Sequence, residues 1–227
     1  MKGNRLFSRR FGYMLIFPSA IVFLIVSIYP LLTGIMLSFQ NSSLYKGDEK
    51  KFVGLKNIIT ILTSDAEFRS DLLFTVIYTI GIVVIAYITG LVFSLLLNTD
   101  VPCRTLFRVL ILIPWVISPA VSSMSWSWLL SDQYGFFNNF LKSIGVIDKS
   151  ILFLADKTLA KIMVIIIGAW RNFPFITVSL LAGLQGISKD YYEAADIDGA
   201  NKFQRFRYVT FPHLTNVSII TITLVAI

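Results

Sequence analysis

Apolar positions along this chain come in long runs separated by short polar ones. Four runs, residues 11–39, 72–97, 106–130 and 159–184, reach the length of about 20 residues that a helix needs to cross a bilayer core. The third carries Arg108 near its start, and the fourth carries Lys161 near its start and Arg171 in its interior. A fifth run opens at Thr215 and stops at Ile227, about a dozen residues on and too short to span. The pattern predicts an all-α, polytopic membrane helical bundle with four full spans and a truncated fifth, part of a longer protein. No tandem repeat or low-complexity tract interrupts it.

The polar segments are also patterned. Residues 40–71 hold K-G-D-E-K-K, read as a solvated turn, and then F-V-G-L-K-N, read as a short ordered element. Residues 131–158 contain Gly135, Asn138 and Asn139 and predict an interfacial helix over 136–143. Residues 185–214 say most. Asp190 and Glu193 have capping-box spacing, with Ser188 as a competing cap, and Gly199 marks a break that needs positive φ. A second helical stretch begins near Asn201, with Phe203, Phe206 and Val209 on one side, and Pro212 marks re-entry into the membrane. Ala194, Ala195 and Ala200 permit close approach of another surface, and Tyr192 and Ile197 are apolar anchors for a groove. The other reading is an amphipathic helix lying on lipid. Asp190, Glu193, Asp196 and Asp198 offset the local basic residues and weaken that reading.

Composition agrees with a membrane protein: 56% of residues are hydrophobic and the mean hydropathy is +0.74. The net charge of +7 is spread over short loops without a basic stripe and interleaved aromatics, so nucleic acid is not an expected partner. One cysteine, Cys103, and one histidine, His213, leave no internal disulfide and no metal cluster; His213 reads as a surface residue. No G-x-x-x-x-G-K-[ST] run is present, so no nucleotide is held in that manner and no cofactor is expected. Lys2, Arg5, Arg9 and Arg10 precede the first apolar run, which is too long for a signal peptide and lacks an A-x-A site. They place residues 1–10 in the cytoplasm, although the other basic residues divide almost evenly. Residues 11–227 then form one transmembrane domain, with the loops at 98–105 and 185–214 inside and those at 40–71 and 131–158 outside.

Two sets of polar residues fall within spans. Arg171 lies near the midplane, where a charge is costly and faces a cavity or a partner. Beside Asn172 it lines a pathway or ties helices together, and Pro174 frees a backbone carbonyl nearby. In the third run, Trp115, Ser118, Ser122, Ser125 and Trp126 fall on one helical face, with Pro114 and Pro119 as kinks. That face suits a sugar pathway, with Trp115 and Ser122 as candidates. It also suits helix packing through serine and an interfacial tryptophan belt at Trp126 and Trp128.

The run E-A-A-x-x-D-G-A, followed about a dozen residues later by F-P in place of L-P, resembles the cytoplasmic "EAA" loop of bacterial ABC importer permeases. Further blocks resemble the sugar-importer branch, maltose-type, first permease: Tyr29-Pro30 with Ser38-Phe39, the F-V-G-L-K-N loop, Pro114-Trp115 with Trp126-Ser127-Trp128, Trp170 with Pro174-Phe175, and Leu181-Ala182-Gly183-Leu184-Gln185. The resemblance covers almost the whole chain and implies a type I importer permease fold. It implies a subunit without catalysis, moving a sugar or oligosaccharide into the cytoplasm by alternating access. The implied partners are a pair of cytoplasmic ATP-binding subunits, a second permease subunit, an extracytoplasmic sugar-binding protein and the lipid bilayer. It assigns ATPase coupling to Tyr192, Glu193, Ala194, Ala195, Asp198, Gly199 and Pro212. Import of glycerol phosphate or another small solute by the same architecture, a secondary carrier, and a membrane receptor or scaffold are the alternative readings. A secondary carrier would call for intramembrane acids, and none lies within a span.

Overall fold

The computed structural model describes residues 3–41, 51–99 and 102–227, with the backbone alone over 3–10. The chain divides into two compact units, Met1–Leu73 and Phe74–Ile227. The K-G-D-E-K-K turn lies outside the described residues except for Lys51.

In the first unit, α1 (Gly3–Phe23) passes through a π turn at Leu24–Ile28 into α2 (Tyr29–Ser38). The helix runs through residues 10 and 11 without a break. Pro30 follows directly on the π turn, where the Tyr29 N–H donates to the Leu24 carbonyl, and the shifted ladder accommodates its missing N–H. Phe11–Ser38 is long and apolar enough to span, with a mean hydropathy of 2.4. The expected F-V-G-L-K-N element is ordered. β1 (Gln40–Asn41) pairs antiparallel with β2 (Lys51–Phe52), Gly54 turns the chain at φ +58°, and α3 (Lys56–Ser64) follows. Asn57 locks the turn, its Nδ2 donating to the carbonyls of Ser38 (2.9 Å) and Gln40 (3.0 Å). This small ladder is a minor addition to an otherwise helical chain.

The long helix α4 (Ala66–Asn98) carries into the second unit, which also holds α5 (Arg104–Val116), α6 (Pro119–Leu129), α7 (Phe136–Ser143) and α8 (Lys157–Gln185). After α9 (Lys189–Ile197), α10 (Lys202–Arg205) runs through a π turn at Phe206–Thr210 into α11 (Phe211–Ala226). Helix α7 occupies the residues expected of the interfacial helix.

Helical periodicity builds the core of this unit. On α4 the buried positions Ile82, Ala86, Gly90 and Ser94 recur every four residues, and α8 buries Ala169, Ile176, Leu180 and Leu184 on one face. With Leu214 of α11, Ala86 and those four α8 residues form the central cluster. Lipid tails are as apolar as these side chains, so helices associate in a bilayer through close packing and hydrogen bonds rather than through exclusion of water. The contacts follow that rule. A Cβ on Gly90 would lie 2.8 Å from Ile176, so α4 and α8 approach as only glycine permits. Tyr87 and Ser218 share a 2.8 Å hydrogen bond between α4 and α11.

Two expectations are corrected. The third apolar run, expected as one span kinked at Pro114 and Pro119, is broken in two: α5 and α6 meet at 95°. Pro119 disfavours the helical region for the residue before it, and Ser118 adopts φ −62°, ψ 146°. Ile117 is extended as well, Pro119 opens α6, and the Ser118 side chain accepts from the Val121 amide as the new cap. The last helix does not begin at Thr215 either. It starts at Lys202 and reaches Ala226, 25 residues, which is long and apolar enough to span. Pro212 does not stop it, because the preceding π turn has already shifted the hydrogen-bond ladder, with the Phe211 N–H donating to the Phe206 carbonyl.

Candidate functional site

The loop at 185–214 is a helix–turn–helix whose caps differ from those expected. Ser188 is the N-cap of α9, its Oγ accepting from the Asp190 amide at 3.3 Å. Asp190 therefore sits inside the first turn, where its negative charge complements the positive end of the helix dipole, and the Asp190–Glu193 box does not form. Spacing alone could not choose between two adequate caps. The reciprocal box is one helix later: the Gln204 amide donates to Asn201 Oδ1 at 2.9 Å, and the Asn201 amide to Gln204 Oε1 at 2.8 Å.

Between the helices Gly199 has φ +73°, the left-handed conformation expected of it. The Ala200 N–H donates to the Ala195 carbonyl and the Gly199 N–H to that of Asp196, which closes α9 in a Schellman turn. A side chain at Gly199 would meet nothing within 4 Å, so backbone conformation alone demands glycine.

Three ties hold α9 to the segment that follows. Tyr192 Oη and Thr210 Oγ1 share a hydrogen bond at 3.0 Å, the Tyr191 and His213 rings lie 4.7 Å apart, and Arg205 pairs with Asp196. Tyr192 is thus half-buried and turned toward the π turn, so it braces the loop instead of standing out as an anchor. Ile197 stands out, at 87% exposed. Glu193, Ala194, Asp198 and Gly199 are exposed around it, and Ala195 is half-buried. Pro212 is exposed in the first turn of α11, and His213 is exposed as expected, its Nδ1 meeting the Val209 carbonyl at 2.7 Å.

The second site is a cavity of about 290 Å³ within the Phe74–Ile227 unit. Arg171, at the midpoint of α8, lines it with Asn172, Ser122, Trp126 and Tyr78. Arg171 is the one charged residue in the lining, and its Nε is buried without a hydrogen-bond partner among the described residues. Asn172 donates through Nδ2 to the Gly168 carbonyl at 2.8 Å, which leaves its amide oxygen uncommitted by that bond. Trp126 stacks on Phe137 at 6.0 Å and meets Trp170 edge-on at 5.3 Å, which fixes its ring against the cavity.

The structure brings Arg171, Asn172 and Ser122 together and leaves Trp115 out. The bend at Ile117–Ser118 sends Trp115 elsewhere on α5, where it stacks on Phe175 at 6.1 Å and is half exposed. The single face expected for Trp115, Ser118, Ser122, Ser125 and Trp126 does not exist, since it assumed a continuous helix. Tyr78, Ser123 and Ser127 also line the cavity and were missed. Tyr78 lies on α4, and nothing in its own neighbourhood of the chain points to α6 and α8.

The family model described as "Binding-protein-dependent transport system inner membrane component" matches residues 4–227. The trehalose/maltose transport system permease protein MalF of Thermococcus litoralis is 35% identical over 215 residues, 95% of this chain and 72% of that protein. A probable ABC transporter permease of Sinorhizobium fredii, y4oQ, is 39% identical over 198 residues, 87% of this chain and 63% of that protein. The chain therefore spans about two thirds to three quarters of the length of these relatives. A bacterial alginate ABC transporter, solved in complex with an alginate pentasaccharide-bound periplasmic protein, has a chain that superposes with a TM-score of 0.78. That match covers 99% of this chain and 74% of the other at 19% identity, and it shows a shared fold. An EAA-type loop, a bundle of apolar helices and a family match over nearly the full length lead to one assignment: the chain belongs to the binding-protein-dependent transport system inner membrane components, the permeases of ABC importers.

Proposed function

We propose that this permease moves a sugar or oligosaccharide into the cytoplasm by alternating access, driven by a partner pair of ATP-binding subunits. The observation that carries the reading is the similarity to a trehalose/maltose permease over 95% of the chain. It favours a sugar over a glycerol phosphate. The Arg171 cavity supports it: hydroxyl groups from serine and tyrosine, an amide oxygen, a guanidinium and an indole face match the hydroxyl and ring faces of a sugar. A second permease subunit and an extracytoplasmic binding protein complete the assembly.

In this reading the N-terminus and the 185–214 loop are cytoplasmic, and Glu193, Ala194, Ala195, Asp198 and Gly199 face the ATPase. Ile197 is the apolar anchor that enters its cleft, while Tyr192 and Pro212 act from behind by holding α9 against the start of α11. Nucleotide-driven closure of the ATPase pair then pulls on α9, and the three ties pass that displacement to α11. Arg171, Asn172 and Ser122 line the transport path, and Trp115 lies beside it.

The test is uptake of labelled disaccharides and oligosaccharides by cells carrying the complete importer. The expected outcome is ATP-dependent accumulation of at least one of these sugars. Uptake driven by an ion gradient with the ATPase deleted would overturn the proposal. A Glu193→Ala/Gly199→Val double variant should insert normally and fail to co-purify the ATPase, and retention of the ATPase would reject α9 as the docking element.

A further inference from the structure

Arg104 and Arg108 sit one turn apart at the start of α5, and their guanidinium groups converge on Gln185, the last residue of α8. With its amide oxygen turned toward them, Gln185 Oε1 accepts from Arg108 Nη2 at 2.9 Å and from Arg104 Nη2 at 3.3 Å. One neutral oxygen is a weak counterpart for two cations. Nε of each arginine is also shut away from solvent with no partner among the described residues. An unsatisfied buried donor is costly, and more so when it is charged.

A groove of about 240 Å³ adjoins Arg108 and Gln185, with Arg104 one turn of α5 away. Leu97, Ile111, Leu112, Val178 and Leu181 make it mostly apolar, Arg108 and Gln185 lie where the helices end, and no carboxylate lines it. An occupant that satisfies both parts is anionic at the helix ends and hydrocarbon along the groove. A neighbouring apolar helix would fill the groove and leave the cations unpaired. The position also fits, since arginines where an apolar span ends meet the headgroup level of a bilayer.

We propose that Arg104 and Arg108 hold the phosphate of an anionic phospholipid whose acyl chain lies along this groove. Gln185 orients the two forks, and the site lies three residues before Ser188, at the root of the coupling loop. Bound lipid therefore steadies the α5–α8 junction from which α9 projects. The proposal is independent of the cargo.

The assembled importer in phosphatidylcholine nanodiscs, with and without phosphatidylglycerol, tests it by native mass spectrometry. The intact transporter should retain a phosphatidylglycerol. Arg104→Gln/Arg108→Gln should weaken retention roughly thirtyfold, at about 1 kcal/mol for each basic residue near the surface. Val178→Trp, which fills the groove at an exposed position and leaves both cations in place, should also release the lipid. Should the double glutamine variant fail to assemble, Arg104→Lys/Arg108→Lys keeps the charges and should retain phosphatidylglycerol. Undiminished retention by either the glutamine or the tryptophan variant overturns the proposal. Displacement of the lipid by inorganic phosphate would make the pair a free-phosphate site and reject the lipid. A photocrosslinker at Val178 that captures protein instead of lipid would also reject it.

Discussion

At the residue scale, Gly199 and Arg171 are constrained for opposite reasons. Gly199 has open space around it and a backbone that disfavours any side chain, at φ +73°. A non-glycine residue in this region costs about 1–2 kcal/mol, most for a β-branched one and least for Asn. Gly199→Val should therefore leave membrane insertion intact and uncouple uptake from ATP hydrolysis, while Gly199→Asn should keep most of the uptake. Equal uptake by the valine variant and the native chain would contradict this. Arg171 has conventional backbone, and its Nε has no hydrogen-bond partner among the described residues. A hydrogen bond to a charged group contributes about 1.5–3 kcal/mol, so Arg171→Gln should raise the half-saturating sugar concentration about tenfold to a hundredfold. Basal ATPase activity and ATPase co-purification should not change, and measuring both separates cargo binding from assembly.

At the scale of elements, the loop works as a unit because its parts are braced. Removing the Tyr192 hydroxyl by Tyr192→Phe should cost about 0.5–1.5 kcal/mol and lower the sugar moved per ATP hydrolysed, with no loss of ATPase docking. Thr210→Val should reproduce the effect, and the double variant should be no worse than either single one if the two hydroxyls act through their shared bond. The Asn201 cap makes a separate contribution. Asn201→Ala removes an acceptor from the start of the last helix and should cost about 1 kcal/mol, read as a lower melting temperature of the purified assembly. The Ser188 and Asn201 caps illustrate what local sequence can and cannot specify. The spacing favoured Asp190 as the cap with Ser188 as its rival, and the observed backbone, with Ser188 extended at ψ 141°, chose Ser188, while the Asn201–Gln204 box was not anticipated.

At the scale of the molecule, close helix approach replaces a water-excluded core as the source of cohesion. Gly90→Leu would drive a side chain into Ile176 and the Phe173 carbonyl, separating α4 from α8. Overpacking of this kind costs about 1–3 kcal/mol, and expression with a shifted melting curve should report it. The same enlargement at Gly34, where nothing lies within 4 Å, should be neutral. The apolar runs, the helical character and the EAA-type loop were legible in the sequence, since hydropathy over about 20 residues and a short motif are local properties. The 95° bend between α5 and α6 was only half legible. Pro114 and Pro119 were noted as kinks, but both extended residues before Pro119 were needed to turn two kinks into a break.

By itself, then, the sequence determined that the chain is a multi-span helical membrane protein, that its polar loop carries an EAA-type element, and that Gly199 must be left-handed. Each follows from interactions within a few turns of one helix. The tertiary structure decided which distant residues share a site. Arg171, Asn172 and Ser122 face one cavity with Tyr78, and Trp115 does not, because the bend before Pro119 redirects half of a helix. It also decided that Tyr192 braces the loop from within and that Pro212 lies inside a continuous helix, since a hydrogen bond across eighteen residues and a shifted ladder depend on where neighbouring turns are placed.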